Sequence, residues 1–198
     1  MFTPSNEIKC REQFGHLLNC HQLLGDAIEI GSLRGDFTID ILSTWHGRCL
    51  HVVDPWIEYP EFIETKIGNL SEAYKVFTER TSVFSDRIKI HRAMSSDAVN
   101  DFADGSVDFV YIDGNHSYKF VRSDLGLYWP KLRPGGIFAG HDYESIGPWV
   151  HDVRKAVDEF AIEHDLEGFY CGGDAYSWYI HKPKEYDCDD SWYYQLKG

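Results

Sequence analysis

No run of about 20 apolar residues, the length a helix needs to cross a bilayer, occurs in the sequence. The amino terminus, MFTPSNEIKCREQF, lacks the basic and apolar stretches of a secretory signal, so a cytoplasmic location is the expectation. Basic charge is scarce: 19 Lys and Arg stand against 32 Asp and Glu, a formal net charge of −13. That excess repels phosphate backbones and anionic lipid, so neither nucleic acid nor a membrane is expected as a partner. The five cysteines, Cys10, Cys20, Cys49, Cys171 and Cys188, are odd in number and contain no C-x-x-C pair. Neither a disulfide framework nor a zinc site is signalled. The G-x-G-x-x-G fingerprint is missing too, which argues against a nicotinamide dehydrogenase.

What is present is enough apolar material for one core: 43% of 198 residues are hydrophobic and 15% aromatic. A single domain over 1–198 follows, with an amino-terminal helix in 1–24, a core over 25–181 and a tail over 182–198. Short apolar runs alternate with segments of helical period, the pattern of a parallel sheet covered by helices on both faces. Strands are expected at 27–30, 48–54, 87–91, 107–113 and 135–140, with a late pair near 166–171 and 175–181 that Gly172 and Gly173 can join as an antiparallel hairpin. Helices are expected at about 7–24, 35–45, 62–82, 95–102, 117–129 and 148–164.

The first strand runs into Glu29-Ile30-Gly31-Ser32-Leu33-Arg34-Gly35. Glycines at a strand-to-helix turn let a backbone pass close to a ligand, with unpaired N–H groups at the helix start; the same turn also occurs for purely structural reasons. Asp54 closes the second strand, where an acidic group can accept ribose hydroxyls or simply begin an Asp-Pro turn. Ser95 and Ser96 follow the third strand and suit either an adenine edge or a helix start. The fourth strand, FVYIDGNHSY, stops on Asp113 and presents His116; the fifth stops on His141 and Asp142. Adjacent parallel strands lie about 4.8 Å apart, so these ends can converge on one cation, Asp113 and Asp142 as hard oxygen ligands with His141 a softer third. His116 has the unperturbed pKa, about 6.5, of a general base.

The order AIEIGSLRGDFT, VVDPW, VDFVYIDGNHSY, LRPGGIFAGHDY resembles the class I S-adenosylmethionine-dependent methyltransferases. Within them it is most similar to the metal-dependent macrocin-type small-molecule O-methyltransferases and, more distantly, the catechol methyltransferases. The resemblance spans about residues 24–181. It implies a Rossmann-like, doubly wound α/β sheet of seven strands in the order 3-2-1-4-5-7-6, strand 7 antiparallel. It also implies S-adenosylmethionine as cofactor, Mg²⁺, and a small-molecule methyl acceptor such as a sugar, natural-product or phenol hydroxyl. By it, Glu29, Gly31, Ser32 and Gly35 surround the methionine part of the cofactor, Asp54 the ribose and Ser95 the adenine. Asp113, His141 and Asp142 fall at metal positions, His141 where relatives often carry an acidic ligand, and His116 where macrolide-sugar enzymes have a catalytic histidine. Asp113 would serve both metal and cofactor.

The competing readings are a metallophosphatase-like hydrolase, whose Asn/His clusters GNHS and GHDY imitate superficially, and a catalytically silent cofactor-binding module. Trp56, Tyr59, Trp149, Trp192 and Tyr193 could stack on an acceptor ring, cover the core edge, or form a homo-oligomer interface.

Overall fold

The computed structural model describes residues 2–59, 68–144, 151–172 and 176–184. Its strands are β1 (Thr3–Pro4), β2 (Asp26–Ile30), β3 (Cys49–Val53), β4 (Ile88–His91), β5 (Val107–Ile112), β6 (Leu132–Gly140), β7 (Phe169–Cys171) and β8 (Ser177–His181). All are joined in one sheet, in the order β1-β7-β8-β6-β5-β2-β3-β4. β5 is buried at every position because helices cover both faces at the centre of a parallel sheet. Asp108 interrupts its apolar run without cost: one oxygen accepts the Gly25 amide at 2.6 Å and the other pairs with Arg133.

From β4 to β7 the order is the expected 3-2-1-4-5-7-6, and β8 runs antiparallel to both its neighbours. Among the described residues the sheet has eight strands where seven were expected. Thr3–Pro4 adds in parallel to β7, with the Thr3 and Ser5 amides bonded to the Gly168 and Tyr170 carbonyls. The expected helix over 7–24 shrinks to α1 (Phe14–Cys20), preceded by a 3-10 turn at Arg11–Gln13. The reason is local: the Ser5 hydroxyl accepts the Glu7 and Ile8 amides, a turn that competes with helix.

The other helices are α2 (Asp36–Thr44), α3 (Leu70–Thr81), α4 (Ser95–Ala98), α5 (Tyr118–Tyr128) and α6 (Asp152–Glu163). Asn69 caps α3 by accepting the Glu72 amide at 3.1 Å; the expected start at 62 lies outside the described residues. α4 continues as a 3-10 turn at Val99–Asp101 and is capped by Met94, so Ser95 is not the cap. In α6, Val153, Val157, Phe160 and Ala161 face the core at helical spacing, while the expected start at 148 and Gly173 lie outside the described residues.

Alternation along the strands divides the core in two. Ile28, Ile30, Val110, Ile112, Phe138 and Trp178 pack toward α5 and α6. Ala27, Phe109, Tyr111, Ile137 and Tyr179 pack toward α1, α2 and α3. Phe14 of α1 sits at the centre of the second layer, edge-on to Tyr111 and Tyr179 at 5.6 and 5.9 Å; burying it contributes about 2–3 kcal/mol.

Candidate active site

The carboxyl ends of β2, β5 and β6 are held level by hydrogen bonds that continue the ladder past the strands. The Asp113 amide donates to the Ile30 carbonyl at 2.8 Å, and the His141 amide to the Ile112 carbonyl at 3.0 Å. Gly31 leaves β2 with φ +79°, and a Cβ there would lie 2.2 Å from the Asp113 carbonyl oxygen. Only glycine fits where these two strand ends touch. Gly35, also left-handed at φ +80°, ends the turn and opens α2.

Asp54 braces this turn. One carboxylate oxygen accepts the Ser32 and Leu33 amides, each at 3.0 Å, and the other accepts the Trp56 amide at 2.8 Å. Burial pushes its pKa up, opposed by those three amides. About one of roughly four acceptor positions is left for a further donor. Trp56 donates its indole N–H to the Leu33 carbonyl at 2.8 Å and is buried against Tyr74 and Phe77. It is a strut for the turn, not a stacking platform.

Glu29 lies beneath the turn, 1% exposed. Burial pushes its carboxyl up to about 8; the Thr38 hydroxyl, which donates to it at 2.5 Å, works against the shift, and the negative Asp113 adds to it. Ser32 is 2.7 Å from that same Thr38 hydroxyl, so Glu29, Thr38 and Ser32 form a buried chain.

Opposite stands the charged cluster. Asp113, His141 and Asp142 each offer a ligand atom within 4.8 Å of the others, all three half-buried. His116 Nε2 is 3.0 Å from Asp142 and 3.6 Å from Asp113, and His141 Nδ1 is 3.2 Å from Asp142. Burial would raise the Asp142 pKa, but hydrogen bonds from His116 and His141 outweigh it and hold the carboxyl far below its usual range. Burial disfavours a charged His141, yet Asp142 and Asp113 push its pKa up overall. Asp142 has φ +56°, a left-handed backbone that Asp tolerates better than most residues with a side chain. Two carboxylates and an imidazole at this separation fit a divalent cation.

One cavity of about 300 Å³ joins the two halves. Glu29, Gly31, Ser32, Asp54, Ser95, Asp113 and His116 all line it. Gly35, His141 and Asp142 do not: Gly35 shapes the turn, and the other two sit behind Asp113 and His116. At one end the Ser95 hydroxyl donates to Asp124 at 2.6 Å. Asp124 is 3% exposed, and burial pushes its carboxyl up to about 7 against that bond. Tyr59 also lines the cavity, accepting a bond from Asn115 at 3.1 Å. Trp149, Trp192 and Tyr193 lie outside the described residues.

A family model described as a methyltransferase domain matches residues 28–143, from β2 through the strand-end cluster. The chain belongs to this methyltransferase family. Among curated proteins it is 36% identical over 93 residues to the uncharacterized protein y4gI of Sinorhizobium fredii, a match covering 42% of this chain and 10% of that protein. This chain therefore spans about a tenth of that relative's length. Among solved structures it is similar to an O-methyltransferase from Bacillus cereus in complex with SAH, at TM-score 0.62 and 16% identity, covering 90% of this chain and 84% of that one. It is likewise similar to the O-methyltransferase TomG from Streptomyces achromogenes in complex with SAM, at TM-score 0.62 and 14% identity, covering 87% and 79%. Identities this low speak for the methyltransferase fold alone.

Three residues of the methyltransferase cavity escape a reading by motif. Arg11 arrives from the amino-terminal segment, its guanidinium 3.9 Å from Asp113. Asp124 and Phe120 come from one face of α5, four residues apart. An acidic residue on a helical face reads as solvated until the helix is docked; the one signal was its spacing from Phe120.

Proposed function

We propose that this chain transfers a methyl group from S-adenosylmethionine to a hydroxyl of a small molecule: a sugar, a natural product or a phenol. The observation that carries the reading is that one cavity has the braced Gly31 turn on one side and Asp113 with His116 on the other. Membership of the methyltransferase family supports it.

Glu29 offers its buried carboxyl to the positive end of the cofactor. A cation there lowers the carboxyl pKa, so binding near neutral pH releases a proton from a group held at about 8. Asp54 takes one ribose hydroxyl. At the far end Asp124, aimed by Ser95, faces the purine. The acceptor hydroxyl is laid in line with the methyl group between His116 and the turn. Its oxygen forms the new bond to carbon as the carbon–sulfur bond breaks, leaving the thioether; the hydroxyl proton passes to His116. Asp142 and Asp113, 3.0 and 3.6 Å from its Nε2, stabilise the imidazolium formed. Asp113, Asp142 and His141 are the residues that would hold Mg²⁺, which when bound supplies a lowered pKa for the hydroxyl.

The test is isothermal titration of S-adenosylmethionine and S-adenosylhomocysteine into the protein, with Mg²⁺ and with EDTA, beside an Asp54→Ala control whose melting curve verifies folding. Saturable binding that the control loses is expected, followed by turnover on a panel of hydroxyl acceptors. No binding under either condition would overturn the assignment.

A further inference from the structure

A second cluster of metal-binding chemistry lies away from the cavity. Glu7, His21 and His181 each present a ligand atom within 4.8 Å of the others, and none of them lines the cavity. They come from three separate places: the loop after β1, the residue that follows α1, and the last residue of β8. His21 Nε2 is 2.7 Å from one carboxylate oxygen of Glu7, and His181 Nε2 is 2.9 Å from the other. The two imidazole rings lie 4.9 Å apart between centroids. His181 pairs across the sheet with Ile137, three positions before β6 ends at Gly140, so the cluster is set back from the strand ends that build the cavity.

We infer that Glu7, His21 and His181 form a second metal site, for a borderline transition cation such as Zn²⁺. Two imidazole nitrogens and one carboxylate oxygen are a donor set suited to Zn²⁺ and poorly suited to Mg²⁺, which prefers oxygen alone. Both Nε2 atoms already converge on one carboxylate, so an ion takes the place of the two N–H···O contacts with little side-chain movement, each neutral imidazole then carrying its proton on Nδ1. Tyr179, whose hydroxyl donates at 3.2 Å to the Glu7 oxygen that His181 also meets, helps to orient the carboxylate. Glu7 and His21 are exposed and His181 half-buried, so the ion has an open path and water can complete the coordination. The site would staple the amino-terminal segment, which carries Arg11 to the cavity, onto α1 and β8. It does not depend on the methyltransferase reading.

The probe is Zn²⁺ itself, titrated calorimetrically into the 198-residue chain carrying Asp113→Asn, Asp142→Asn and Cys49→Ser, which removes the acidic ligands of the cavity cluster and the thiolate of the Asp26, Cys49 and His51 group. One equivalent is expected to bind, to be lost on adding His21→Ala and His181→Ala, and to raise the melting temperature only when both histidines are present. Co²⁺ in place of Zn²⁺ should give the intense visible bands of a tetrahedral nitrogen and oxygen site in the first protein and not in the second. Absence of the equivalent, or its survival in the double histidine variant with an unchanged Co²⁺ spectrum, would overturn the proposal. Circular dichroism of each variant establishes that it folds.

Discussion

Among the described residues no cation stands beside the buried carboxyls of Glu29 and Asp124, a costly state that the folded protein relieves by keeping a proton. Glu29 has a folded pKa of about 8 against an ordinary value of 4.5. As pH rises through that window the unfolded chain gives up its proton first, so stability is greatest at the acid end and falls toward pH 8. Glu29→Gln should flatten this slope: its melting temperature relative to the native chain rises from pH 5 to pH 8, while cofactor binding is lost. A parallel slope in both proteins would sink the assignment. Proton release on binding gives a second readout, because the titration enthalpy in native protein should then vary with the ionisation enthalpy of the buffer. For Asp124, whose carboxyl is raised to about 7, Asn in its place should weaken S-adenosylhomocysteine more than its inosine analogue, whose purine lacks the amino group. Equal weakening of both would separate Asp124 from purine recognition. His116→Ala and Asp113→Ala should each lower kcat by roughly 10²–10⁴ with folding intact; wild-type kcat in both would remove them from the chemistry.

At the scale of elements, the site depends on where strands end and on what holds the following turns. Gly31→Ala meets both a left-handed backbone and the Asp113 carbonyl, so it should cost about 1–3 kcal/mol from the backbone alone, read by denaturant unfolding. It should also abolish cofactor binding, because the β2 and β5 ends can no longer touch. Phe2 packs on Tyr143 at 5.0 Å, the residue after Asp142, which links the extra edge strand to the loop carrying the cluster. Phe2→Ala should destabilise by roughly 3 kcal/mol. A variant as stable as the native chain would show that β1 contributes nothing to this edge.

At the scale of the whole molecule, a ligand that binds only the folded state stabilises it by mass action. S-adenosylhomocysteine at about 100 times its Kd adds about 2.7 kcal/mol, a rise of roughly 5–10 °C in melting temperature for a domain this size. No helix among the described residues is long and apolar enough to cross a membrane, in keeping with the lack of long apolar runs. The alternation of strands and helices, the glycine turn, and Asp113, His116, His141 and Asp142 at or just past strand ends are all legible in the amino-acid order. These are local: they follow from hydrophobic period, backbone freedom and the fact that parallel strands expose their ends. It takes the folded chain to reveal that Asp54 braces the turn with three bonds, that Ser95 serves Asp124 instead of capping a helix, and that Arg11 reaches the cavity. The same fold adds Thr3–Pro4 as an eighth strand and brings Glu7, His21 and His181 together. Those contacts join residues far apart in the chain, and their energy exists only once burial has removed water and fixed the partners, which no local pattern of residues encodes.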